Sequence, residues 1–209
     1  MNKKFIFFSL LGALSIYVSG FSLDQTLPWK KWKSLFDGKT LQGWHTIPGG
    51  DWKVEDGAIV GLSDKADTRH GLLVTNQSFK NFEIRIEYKA IKGNSGLYFR
   101  SEEVGGVVGV HGFQAEIDPD KDAGGLYETG GREWVVKPTA EQVQSWYKPG
   151  QWNKMTVRAE GGHITVQVNG KKTAELFNDP GRNEGHIALQ LHGSMDMHTL
   201  FKNIIIREL

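Results

Sequence analysis

Cysteine is absent from the 209 residues. That excludes disulfides and any lipid attached to a cysteine after leader cleavage, so stability has to come from core packing. Charge of one sign is lacking too, with a formal net of +1. A nucleic-acid binder driven by phosphate neutralisation needs a basic excess, and no basic run interleaved with aromatics occurs. No segment repeats at a fixed period, which disfavours a propeller or solenoid. The G-x-S-x-G turn, the H-E-x-x-H helix and paired Cys/His motifs are missing, so serine-nucleophile and zinc-protease chemistry lack support. No glycine-rich loop follows a strand and opens a helix, as a phosphate cradle requires.

The long apolar run is at the start. Lys3 and Lys4 precede Phe5 to Val18, and the small residues Ser19 and Gly20 follow. A basic start, an apolar core and a small-residue exit describe a secretory leader. The run is shorter than the ~20 residues of a spanning helix, so cleavage rather than anchoring is expected. Residues 1–22 are therefore read as a signal peptide, 23–33 as a linker and 34–209 as one domain. Losing Lys3 and Lys4 takes the net charge from +1 to −1. The expected product is periplasmic or extracellular, with no membrane and no nucleic acid as partner.

Glycine (26) and tryptophan (7) are abundant, a balance that favours turns and packed aromatic β structure. Asn81 to Ile91 alternates between Phe82, Ile84, Ile86 and Tyr88 on one face and Glu83, Arg85, Glu87 and Lys89 on the other. Alternating opposite charges mark a solvated outer face. Glu55-Asp56-Gly57 and Asn169-Gly170 are hairpin signals. Thr139 to Trp146 is the one passable helix, ended by Pro149-Gly150. About a dozen short strands with turns at hairpin spacing predict an all-β, antiparallel β-sandwich with one short helix.

The stretch from His111 to Arg132 is the richest in chemistry. Phe113, Ala115 and Ile117 alternate with Gln114, Glu116 and Asp118, so an amide and two carboxylates share one strand face. Glu116 and Asp118 then stand about 7 Å apart at Cα. That spacing permits a shared cation, a general acid/base pair or two solvated acids. The glycine-rich turn beyond is expected to bring Tyr127, Glu128 and Arg132 into the same neighbourhood. Tyr98 with Arg100, and Gln190 with His192, add an aromatic, a cation, an amide and an imidazole on other non-core faces. Such groups bind and polarise sugars; scattered exposed residues are the plain alternative. A neutral His192 could serve as general base or metal ligand.

Taken together, LFDGKTLQGW, DWKVEDGAIVG, GNSGLYFR, GFQAEID, GGLYETGGR, GQWN and GHIALQLHG followed by FKNIIIREL resemble the 3-keto-disaccharide hydrolase domain family. The likeness runs from about Ser34 to Leu209. It implies a concanavalin A/laminin-G type jelly roll with a concave sugar-binding sheet, acting on an oxidised (3-keto) glycoside or another carbohydrate. A ketone at C3 acidifies the C2 hydrogen; its removal gives an enolate that expels the C1 substituent, and water can then add. The activity is thus that of a glycoside hydrolase or lyase. No cofactor is certain, and assistance by a divalent cation stays open, with the metal unspecified.

The same likeness assigns roles. GFQAEID supplies Glu116 as base or cation ligand, with Gln114 and Asp118 beside it, and LHG supplies His192 as acid/base partner. YFR gives Arg100, LYETGGR gives Tyr127, Glu128 and Arg132 for substrate contact and oxyanion stabilisation, and Gln190 joins the substrate-binding set. Where family members carry a glutamate between His192 and Phe201, this chain has Gly193 to His198, which leaves Asp196 or His198 as substitutes. Two other readings remain. One is a non-catalytic carbohydrate-binding jelly roll. The other is a retaining β-glucanase, disfavoured because Pro119 interrupts the strand and Asp120 takes the third acid position.

Overall fold

The computed structural model describes residue 1 and residues 30–209. The assigned leader, Met1 apart, and the linker up to residue 29 lie outside the described residues. Among the described residues no helix is long and apolar enough to cross a membrane.

The described chain forms fifteen strands and one helix. In order these begin β1 (Lys33–Ser34), β2 (Trp44–Ile47), β3 (Asp51–Glu55), β4 (Ala58–Ser63), β5 (Gly71–Phe79), β6 (Phe82–Lys92), β7 (Ser95–Glu103) and β8 (Val110–Ile117). They continue as β9 (Leu126–Thr129), β10 (Glu133–Val136), helix α1 (Ala140–Trp146), β11 (Asn153–Glu160), β12 (His163–Val168), β13 (Lys171–Leu176), β14 (Gly185–Leu191) and β15 (Met197–Glu208). One sheet runs β13-β12-β11-β6-β15-β4-β3, with β1 added on β15; the other runs β10-β9-β8-β7-β14-β5-β2. All pairings are antiparallel. This is the expected β-sandwich.

Period-two patterning decides which faces meet. Ile84, Ile86 and Tyr88 of β6, Met155 and Val157 of β11 and Phe201 of β15 pack against Leu97 and Phe99 of β7, Phe113, Ala115 and Ile117 of β8 and Leu189 of β14. Phe99 and Phe113 stack across the β7–β8 pair with centroids 5.5 Å apart. Each buried Leu, Ile, Val, Phe or Met among them stabilises the fold by about 1.5–3 kcal/mol. The expected hairpins are present: Asp56-Gly57 joins β3 to β4 and Asn169-Gly170 joins β12 to β13, with φ of 49°, 75°, 50° and 83°. Left-handed φ at both central residues gives the turn the right-handed twist of its strands.

Helix α1 starts one residue later than the sequence pattern, because Thr139 is its cap. The Thr139 hydroxyl accepts from the Gln142 amide at 3.2 Å, and the Gln142 side chain accepts from the Thr139 amide at 2.8 Å. This reciprocal box satisfies two otherwise free N–H groups. At the other end the Trp146 indole donates to the Ala123 carbonyl at 2.8 Å. The helix thereby props the loop that leaves β8, and that loop edges the site.

The outer face of the first sheet is charged, as the alternation of β6 implied. Glu83 takes one hydrogen bond of 2.7 Å from Arg85 and one of 2.7 Å from Arg207. Both guanidinium groups lie over the Trp32 ring, at 4.4 and 5.0 Å. The opposite, outer face of the second sheet is different in kind. Leu72, Val74, Tyr98, Val110 and Ala188 are buried there in a small cluster of their own. Loop residues His70, Asn94, Val108 and His192 border the candidate site on this face.

Candidate functional site

The outer face of the second sheet carries a hollow of about 300 Å³, lined by residues of β7, β8, β9, β10 and β14 and of the loops around them. Gln114 and Glu116 from β8 form its floor, Tyr98 comes from β7 and Gln190 from β14. Tyr127 and Trp134 wall one side, ring edge to ring face at 5.3 Å. His70, His192 and Asn94 complete it. A volume of this order suits one sugar ring, and aromatic walls with a few convergent polar groups are what such sites use.

Glu116 is 5 % exposed. One of its carboxylate oxygens accepts from the Asn94 amide at 2.6 Å and the other from Gln114 at 2.8 Å. Burial raises its pKa, with further push from Asp118 and Asp122, and the two amides only partly oppose that; the result is about 8. A carboxylate poised near neutrality is a competent general base. The backbone is tight beneath it. A Cβ on Gly96 would meet the Gln114 side chain at 2.6 Å. Gly96→Ala therefore shifts Gln114 and, through it, Glu116, while far-UV circular dichroism is expected to keep the wild-type spectrum.

From Glu116 a chain of hydrogen bonds crosses the floor. Gln114 donates to Gln190 Oε1 at 3.2 Å. Gln190 Nε2 lies 2.8 Å from His70 Nδ1 and 3.3 Å from the Tyr98 hydroxyl, which meets Thr129 at 2.8 Å. The His70 and His192 rings sit 4.4 Å apart. His192 Nδ1 lies 2.7 Å from its neighbour's carbonyl, Gly193 O, so Nδ1 carries the proton, and among the described residues Nε2 has no hydrogen-bond partner. Burial, then the adjacent His192, lowers the His70 pKa to about 4.

A second hollow of about 330 Å³ adjoins the first, sharing Asn94 and His192 and bordered by Asp118, Asp120, Lys121, Asp122 and Met195. Asp118 belongs to its wall. One Asp118 oxygen caps the following turn by accepting from the Asp120 amide at 2.8 Å. The other accepts from Asn94 at 3.3 Å. The Glu116–Asp118 pair is thus buried and bridged by one amide rather than solvated. Among the described residues no three His, Asp or Glu side chains converge as a metal set. No step below passes through a divalent cation.

Three expected site residues lie elsewhere. Arg100 is expected beside Tyr98 on the outer face, but an extra residue bulges β7 between Phe99 and Glu102, and Arg100 has φ 48°. The alternation is broken there. Its guanidinium, 1 % exposed, donates to the carbonyls of Lys80, Gly161 and Arg182. Glu128 follows Tyr127 directly and so faces the other way. It holds the Arg132 guanidinium at 2.5 Å, and Arg132 also pairs with Asp179 at 2.7 Å and lies over the core ring of Phe113. Neither Arg132 nor Glu128 lines either hollow. Asp196 pairs with Lys92 at 2.8 Å, and neither it nor His198 lines a hollow.

The structure therefore brings together Glu116, Gln114, Tyr127, Gln190 and His192, with Asp118 next door. His70, Asn94, Thr129 and Trp134 are additions that the sequence pattern did not single out. His70 closes a loop before β5, and Asn94 sits in what reads simply as a Gly-Asn-Ser-Gly turn; neither has a period to betray it.

Residues 31–207 match the model of the 3-keto-alpha-glucoside-1,2-lyase-like domain. A 3-keto-disaccharide hydrolase of Bacteroides thetaiotaomicron is 38% identical over 81 residues, which cover 34% of this chain and 28% of that protein. A solved Parabacteroides distasonis protein with a provisional glycosyl hydrolase name is 26% identical, with TM-score 0.63 over 86% of this chain and 100% of that one. The carbohydrate-binding module CBM66 of Bacillus subtilis shares the fold at 17% identity, with TM-score 0.63 over 79% of this chain and 96% of that one.

Proposed function

The chain belongs to the 3-keto-alpha-glucoside-1,2-lyase-like family, and we propose that it cleaves 3-keto-glycosides by removing the C2 proton and breaking the C1–O bond. The observation that carries this reading is Glu116. It is a buried base with a pKa near 8 at the floor of a sugar-sized hollow with aromatic walls.

The reaction needs a base at C2, a donor at the C3 keto oxygen and an acid at the leaving oxygen. The Glu116 carboxylate takes the C2 proton, and the electron pair passes into the C2–C3 enolate. Collapse of the enolate forms C1=C2 and expels the C1 oxygen. His192, protonated at its open Nε2, gives that oxygen its proton. Gln114 and Asn94 hold the base, and Tyr127 and Trp134 face the ring. The adjoining hollow, which meets the first at Asn94 and His192, takes the leaving group. Addition of water across C1=C2 turns elimination into net hydrolysis. An oxidation at C3 must precede all of this, so a sugar-oxidising enzyme supplies the substrate. With the leader read in residues 1–22, the work takes place after export.

Purified protein incubated with a 3-keto-glucoside, with and without chelator, tests the reading by NMR of the products. Consumption with exchange of the C2 hydrogen in D2O is expected. An unsaturated 3-keto sugar marks elimination, and free 3-keto-glucose marks completed hydration. No consumption under any metal condition removes the reading.

A further inference from the structure

The enolate in the proposed mechanism needs a hydrogen-bond donor at the keto oxygen, and the structure takes both expected arginines away. Arg100 is spent on three loop carbonyls and Arg132 on Glu128 and Asp179. Something else lining the hollow must serve. Resting on that mechanism, we propose that His70 is the donor: a neutral imidazole whose Nε2–H is held by the Glu116–Gln114–Gln190 chain and is directed at the keto oxygen.

The polarity of the chain fixes the tautomer. In the state that takes the C2 proton Glu116 is ionised and its oxygens only accept, so the Gln114 group 2.8 Å from Glu116 Oε2 is the NH2. The same NH2 faces Gln190 at 3.2 Å, so the Gln190 atom there is the carbonyl oxygen. Gln190 then turns its own NH2 towards His70 Nδ1 at 2.8 Å. An NH2 group donates, so Nδ1 is unprotonated and the ring proton sits on Nε2. Among the described residues Nε2 has no hydrogen-bond partner of its own, and His70 lines the hollow. Burial keeps the ring uncharged at working pH.

The neighbouring His192 is wired in the opposite sense. Its Nδ1–H is committed to Gly193 O and its Nε2 is the open acceptor. Two rings with centroids 4.4 Å apart thus present one donor and one acceptor to the same space. The donor suits the oxygen that gains charge on enolisation. The acceptor, once protonated, suits the oxygen that leaves. A neutral donor has an advantage here, because its own proton is not acidic enough to be lost to the enolate.

Loss of one preorganised donor to an oxyanion lowers turnover by about 10²–10³-fold. His70→Leu is expected to lose kcat by that amount, with KM moved by less than about threefold and C2 hydrogen exchange slowed in proportion. His70→Gln can place an amide N–H near the lost Nε2–H, so it is expected to recover about tenfold over the Leu variant. Imidazole 15N NMR of the wild-type protein at pH 9, where Glu116 is ionised, is expected to show His70 protonated at Nε2 and His192 at Nδ1. His70 protonated at Nδ1, a Leu variant with near-wild-type kcat, or Leu and Gln variants equally depressed would each overturn the assignment. Wild-type protein inert on 3-keto-glucosides would sink the proposed function by itself, and the imidazole spectrum would still decide the tautomer.

Discussion

Glu116→Gln lowers kcat on a 3-keto-glucoside by about 10²–10⁴-fold, the usual worth of a general base, while the sugar still binds. Gln keeps the shape of Glu, and its one oxygen can accept from one of the two amides that lie 2.6 and 2.8 Å from the carboxylate, while the other amide must turn its oxygen to the new NH2. What it cannot do is accept the C2 proton. Isothermal titration with the 3-keto sugar separates the outcomes. An enzyme loses turnover with affinity within about tenfold of wild type. A protein that merely binds carbohydrate shows no turnover to lose, and its affinity changes little, which would return the chain to the non-catalytic alternative.

The same carboxyl sets the pH response. As a base it must be ionised, so the limb of the kcat/KM profile that Glu116 sets rises with pH towards about 8, the pKa that burial imposes, while the need for a protonated acid at the leaving oxygen sets the opposite limb. Stability moves the other way. The folded pKa lies above the ordinary glutamate value of 4.5, so between roughly 4.5 and 8 the native state holds a proton that the unfolded chain has lost. In that window stability falls as pH rises, by at most about 1.4 kcal/mol per unit. Glu116→Gln removes this dependence. The variant is therefore more stable than wild type at pH 9 by urea denaturation, and the gap closes at pH 5. Activity and stability trade against each other at a single side chain.

How much of this was legible in the sequence differs by element. The strand β8 was legible in full: strict alternation puts Phe113, Ala115 and Ile117 in the core, and Gln114 and Glu116 on the other face. The hairpin turns and the helix were equally readable, because Asn-Gly, Asp-Gly and a Thr cap act within a few residues. Glu128 was avoidable, since a residue adjacent to Tyr127 in a strand cannot share its face. Arg100 was not, because nothing in Tyr98-Phe99-Arg100-Ser101 announces a bulge, and the cause is tertiary. His70 and Asn94 stayed hidden because loops have no period, and their position depends on pairings more than twenty residues away in sequence for Asn94 and over a hundred for His70.

Arg100 yields the largest stability effect. Its guanidinium makes four hydrogen bonds, of 2.9 to 3.1 Å, to carbonyls of three separate loops. Lys80 joins β5 to β6, Gly161 joins β11 to β12 and Arg182 precedes β14. One side chain therefore ties both sheets at this end of the sandwich. Met in its place keeps much of the volume but removes every donor and leaves three carbonyls without their partner. Lost charge-assisted bonds and stranded acceptors together make the expected loss about 3–5 kcal/mol. That corresponds to a fall in Tm of about 10 °C for a domain of this size. Lys restores the charge but cannot reach three carbonyls with a planar fork, so Arg100→Lys recovers only part. Since Arg100 lines neither hollow, kcat measured well below the lowered Tm stays within about threefold of wild type. A collapse of kcat at unchanged Tm would instead put Arg100 on the substrate, and the placement of the whole outer face would have to be redrawn.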